Sequence, residues 1–152
     1  MLIDQDNFLR AFGRDADYHD IHPQNAWLDR RTGYVLWILR KDEDALETLG
    51  ISSDENRELR ERVSAEPDRY LETLGLGHGE HHEILKKFLQ SEWSDNMELR
   101  ESVEGKYFKS IGAWKRAVPR CVVNAYNDFR GDEILNMAEE WLEYNGIYPI
   151  WK

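Results

Sequence analysis

Cysteine, proline and long apolar runs are scarce in these 152 residues, with one cysteine and four prolines. Each scarcity excludes something. Cys121 has no second cysteine to pair with, the pattern of a reducing compartment. No stretch approaches the 18 or so apolar residues of a membrane-crossing helix. The opening MLIDQDNFLR has neither the basic n-region nor the apolar h-region of a secretory signal. A cytoplasmic protein with no membrane partner is therefore expected. There is no G-x-S-x-G elbow to expose a nucleophilic serine and no phosphate loop. GLGHGE at 75–80 lacks the last glycine and the strand–helix setting of a dinucleotide fingerprint. No cofactor is expected, and with 30 acidic residues, carboxylate pairs say nothing about acid–base chemistry.

What is present is charge and aromatic mass. The chain carries 30 acids against 20 bases, a net charge of −10, and six tryptophans. The aromatics argue against disorder despite the charge, and the length is that of one domain over 1–152. Such an acidic balance argues against a general nucleic-acid coat or a binder of anionic membranes. The charge is uneven, however. The first 104 residues hold 24 acids and 13 bases, whereas 105–120 hold five bases (Lys106, Lys109, Lys115, Arg116, Arg120) and no acid. This island either neutralises the acidic segments around it or makes a small, salt-sensitive anion contact.

Periodicity divides the chain into a sheet-containing half, 1–78, and a helical half, 79–152. LIDQDNFLRAFG reads as a short helix capped by Asp4 or Asp6, with Phe8, Leu9 and Phe12 on one face and Gly13 ending it in the left-handed conformation. A polar loop containing Pro23 follows. AWLDRRTGYVLWILRKD predicts a hairpin about RRTG, where Gly33 supplies a positive φ. The run YVLWIL is apolar on both alternating faces and predicts a central, doubly covered strand. Ser52 and Glu55 form a capping-box pattern for a mostly exposed helix whose apolar pair is Leu59 and Val63, with Pro67 marking its end. DRYLETLGLG predicts a third short strand. Helices follow from Glu80 (Ile84, Leu85, Phe88, Leu89), from Asp95 to near Gly105, and over SIGAWKRAV (Ile111, Trp114, Val118). The next begins with Pro119 in its first turn, carries Val122, Tyr126 and Phe129, and closes at Gly131. A last helix, capped by Asp132 and ended by Asn145–Gly146, buries Ile134, Ala138, Trp141 and Leu142. The terminal IYPIW is either an edge strand or an exposed anchor. The expected fold class is α+β, a small antiparallel sheet followed by helices.

The strings LDRRTGYVLWI, PDRYLETL, ILKKFL, EGKYF and FRGDEILNMAEEWLEYNGI resemble the bacterial uncharacterised protein family 0158 over roughly Trp27 to Ile147. The hairpin residues Leu28, Asp29, Thr32, Gly33 and Val35 and the closing-helix residues Phe129, Arg130, Asp132, Glu133, Ala138, Trp141 and Leu142 stand where that family has them. The chain departs in the basic segment, where YFKSI separates Gly105–Lys106 from Gly112–Ala113–Trp114. The resemblance implies a bacterial, cytoplasmic protein of mixed fold and carries no activity with it.

Three constellations compete as sites. In GHGEHHE, His78 and His82 are four apart with Glu83 beside them, a spacing that suits a metal on a helix. The flanking glycines predict a turn at His78 instead, any third ligand would come from elsewhere, such as His19, Asp20 or His22, and a polar helix start explains the string as well. No metal is assigned. Cys121 near a helix start is either a favoured thiolate or a small buried residue. The segment KYFKSIGAWKR alternates Lys106, Lys109, Lys115 and Arg116 with Tyr107, Phe108 and Trp114, types that stack on bases or anchor interfaces. Helical spacing places Trp114 in the core, leaving Lys115, Arg116 and Arg120 as its solvated neighbours. The leading expectation is a non-enzymatic protein-binding or regulatory module. The alternatives are nucleic-acid binding through 105–120 and a metal-dependent enzyme using 78–83.

Overall fold

In the computed structural model, which describes residues 1–14, 24–91 and 111–152, the chain runs β1 (Leu2–Ile3), α1 (Gln5–Phe12), β2 (Gln24–Asp29) and β3 (Val35–Leu39). A 3₁₀ turn (Asp42–Asp44) leads into α2 (Ala45–Leu49), then α3 (Ser53–Ala65), β4 (Tyr70–Thr73), α4 (His78–Ser91), α5 (Ile111–Ala117), α6 (Arg120–Tyr144) and β5 (Ile150–Trp151). The fold is α+β. Among the described residues no helix is long and apolar enough to cross a membrane. The helix expected from Asp95 to near Gly105 lies outside the described residues. The chain divides into two compact units, Met1–Leu76 with Ala138–Lys152, and Gly77–Met137.

In the first unit the RRTG hairpin forms as its sequence predicts. Gly33 has φ +76°, and a Cβ there would run into the Leu2 carbonyl oxygen, so only glycine fits. β2 pairs antiparallel with β3 on one side and with β4 on the other, giving the order β3-β2-β4. β3 is therefore an edge strand, not the central one its apolar run suggested. That run reports covered faces, and both of its faces are covered. Ile38 packs with Val63, Leu59 and Tyr70 on one face, and on the other the Trp37 indole donates to Asn7 Oδ1 of α1 at 3.2 Å. Covered faces do not imply paired edges. The outward edge at Leu39 is closed by the fully buried Asn56, whose Oδ1 accepts from the Leu39 N–H at 2.9 Å. Its Nδ2 donates to the Leu39 carbonyl at 3.1 Å and to Asp42 Oδ1 at 2.7 Å.

The hairpin base is locked by Asp29. Arg69 donates to both its carboxylate oxygens, at 2.9 and 2.7 Å, and the Arg31 N–H adds a third bond at 2.9 Å. The Arg69 fork is the main reason that the Asp29 carboxyl is held down to about 2. Asp4 caps α1 by accepting from the Asn7 N–H, and Ser52 caps α3 by accepting from the Glu55 N–H. Gly13 ends α1 with φ −87°, not in the expected left-handed conformation; its N–H still bonds to the Leu9 carbonyl at 2.8 Å. IYPIW supplies β5, which pairs parallel with β1. The Trp151 indole donates to Glu139 Oε1 at 2.8 Å, and its ring lies against Phe8. α6 stops in a Schellman arrangement. The Ile147 N–H bonds to the Leu142 carbonyl and the Gly146 N–H to the Glu143 carbonyl, with Gly146 at φ +75°.

The second unit is built on aromatic packing. Phe88 of α4 meets Trp114 of α5 and Tyr126 and Phe129 of α6, with ring centroids 5.5–6.3 Å apart. Two sequence expectations are corrected here. α4 starts at His78, so His78 lies in its first turn rather than in a loop before it. α6 runs without a break through Gly131, and Asp132 caps nothing. One mid-helix glycine costs about 1 kcal/mol relative to alanine. Tyr126, Ile134 and Ala138, buried on both sides of it, outweigh that cost.

Candidate functional site

The concave feature of the first unit follows from its layer geometry. β2 places Asn25, Trp27 and Asp29 on the face that carries Leu36 and Ile38 of β3, because Trp27 is opposite Leu36 and Asn25 opposite Ile38. α3 lies along this face and, being one helix against a three-stranded sheet, covers only part of it. Its Leu59 and Val63, with Tyr70, close over Ile38. Beside this contact remains a groove of about 290 Å³, with an apolar floor of Trp27, Ile38, Val63 and Pro67. A separate shallow depression on α3 is lined by Arg60, Glu61, Ser64 and Ala65.

The charge of this groove opposes that of the chain. Arg40 and Arg60 line it, and no carboxylate does. The two guanidinium groups are not equivalent. Arg60 is committed, donating from both terminal nitrogens to Asp42 at 2.6 and 2.8 Å. That fork, helped by the Asn56 amide, holds the Asp42 carboxyl down at about 2. Arg40 is exposed and makes no ion pair among the described residues. The groove therefore offers an apolar slot, the half-buried Trp27 indole and, in Arg40, a cation with no ion pair among the described residues. No nucleophile–base pair lines it. Its volume lies at or below the roughly 300 Å³ lower bound of small-molecule pockets, enough for one or two side chains.

None of these residues was singled out from sequence as a site. The available signal was the spacing of Arg60, Val63, Ser64 and Pro67 at i, i+3, i+4 and i+7, a helical face next to the core face. Its meaning depends on which strand residues lie opposite, and that is not local information.

The sequence-derived candidates separate. Lys106 and Lys109 lie outside the described residues, as do Tyr107, Phe108, His19, Asp20 and His22. Trp114 is fully buried against Tyr126 and Phe88, so a surface ligand cannot stack on it. Lys115 is half-buried with its ammonium 5.3 Å from the centre of the Tyr126 ring. Burial, then repulsion from Arg130, lowers its pKa. Arg116 and Arg120 are exposed, and neither pairs with an acid among the described residues. Cys121 is an exposed thiol rather than a buried one. His78 and His82 come together, Nε2 to Nε2 at 2.9 Å, while Glu83 turns to Lys86 at 3.5 Å. Among the described residues no group of three or more His, Cys, Asp or Glu is arranged to hold a metal ion.

No protein-family model, curated protein or solved structure matches the chain.

Proposed function

We propose that the chain is a small non-enzymatic protein-binding module, and that the groove between α3 and the β2–β3 face receives a short segment of its partner. The occupant is a segment presenting one apolar or aromatic side chain next to a carboxylate. The observation that carries this reading is the lining itself. On a chain of net charge −10, the groove has Trp27, Ile38, Val63 and Pro67 as its floor and two arginines, but no acid, as its charge. Half-buried tryptophan and arginine are the residue types that dominate interface energetics. Arg40 presents a planar fork suited to a carboxylate. Size argues for a side chain rather than a cofactor, and the lining supplies binding groups without a catalytic pair.

Selection of a random heptapeptide library on the purified chain tests this. The enriched peptides are expected to pair an apolar residue with Asp or Glu. Arg40→Glu, a change at an exposed position, is expected to weaken their binding at least about tenfold, the equivalent of one 1.4 kcal/mol contact. Failure to enrich, or enrichment indifferent to Arg40→Glu and Trp27→Ala, overturns the reading.

A further inference from the structure

We infer that the first turn of α4 is a two-histidine chelate for a divalent late transition-metal ion, of the copper or nickel type. The site lies in the second unit and is independent of the groove. His78 and His82 stand one helical turn apart at the start of α4, with ring centroids 4.3 Å apart and Nε2 atoms 2.9 Å apart. Each imidazole thus brings its Nε2 within reach of a single ion.

An ion bridging the two nitrogens replaces their hydrogen bond at nearly the same separation. An ion that sees both at a right angle lies about 2.0–2.1 Å from each, the ordinary imidazole–metal bond length. A tetrahedral angle at the same bond length needs nitrogens about 3.3 Å apart. The pair thus needs little movement to form a cis edge of a square-planar or octahedral site, the geometry of copper(II) and nickel(II) with imidazole and water, whereas structural zinc uses four protein ligands. Copper(II) also lies at the top of the general affinity order.

Without metal, the 2.9 Å contact is a hydrogen bond in which one ring donates Nε2–H to the other. Binding leaves both Nε2 lone pairs on the ion, so the donor ring moves its proton to Nδ1. The change is one of tautomer, with no net proton release. Glu83 is directed to Lys86 and is not a third ligand, so water fills the remaining positions. Glu80, exposed in the first turn of α4, offsets the positive end of the helix dipole near the ion.

The test is a titration of copper(II) sulfate into the full chain, purified without a histidine tag and stripped with EDTA, read by calorimetry and by electron paramagnetic resonance. One ion per chain is expected, with nitrogen hyperfine structure from two imidazoles. His78→Ala and His82→Ala are each expected to lower affinity at least about tenfold and to leave a single-nitrogen spectrum. Far-ultraviolet circular dichroism of each variant checks that the fold is kept. Copper binding unchanged in the double variant, or no binding in the parent chain, overturns the site.

Discussion

Asn56 occupies a position that a run of charged residues would lead one to place in water. Buried instead, its single amide group satisfies both backbone groups of Leu39 and a carboxylate oxygen of Asp42. It thereby does two jobs: it closes the β3 edge and holds Asp42 where Arg60 can grip it. Replacing it with alanine leaves the Leu39 N–H and carbonyl buried without partners, at a cost of about 3 kcal/mol. Urea denaturation of Asn56→Ala should show that loss as a lower midpoint at unchanged slope. A change within about 0.5 kcal/mol, the range of ordinary surface substitutions, would contradict the role. Arg40 differs from Arg60 in just this respect, since Asp42 engages Arg60 and not Arg40.

At the scale of elements, α6 gives the sharpest test of how propensity and packing compete. Gly131 lies in mid-helix with a negative φ, is exposed, and has open space where a Cβ would go. Gly131→Ala should therefore stabilise the chain by about 1 kcal/mol, read as a higher denaturation midpoint. A destabilisation would mean that the helix breaks there after all. The same comparison explains what was legible in the sequence. Runs rich in aromatic and branched residues on either side of RRTG, with Gly33, revealed the hairpin, and Ser52–Glu55 and Asn145–Gly146 marked helix ends, because each is a local signal with one structural solution. The edge position of β3 was not legible, because an apolar run reports covered faces but not paired edges. Gly131 and the glycines around His78 misled for one reason: a residue that permits a break does not require one. The groove was hidden because it joins a strand face from 25–40 to a helix face from 60–67, and their alignment is a tertiary fact.

For the whole molecule, the −10 charge acts at long range and the groove at short range. In the function proposed above, the acidic surface would speed encounter with a basic partner, and the arginine-lined slot would select, on that partner, an apolar side chain beside a carboxylate. Of the basic island's described residues, Trp114 belongs to the core of its unit and Lys115 lies against Tyr126, while Arg116 and Arg120 are exposed. Amide and indole chemical-shift mapping with a library-selected heptapeptide tests the central claim most directly. The account predicts that the Trp27 indole and the amides of Ile38, Arg40, Val63 and Ser64 shift together, saturate together and cease to respond in Arg40→Glu. Shifts confined to 111–130, or a Trp27 signal that does not move, would contradict it.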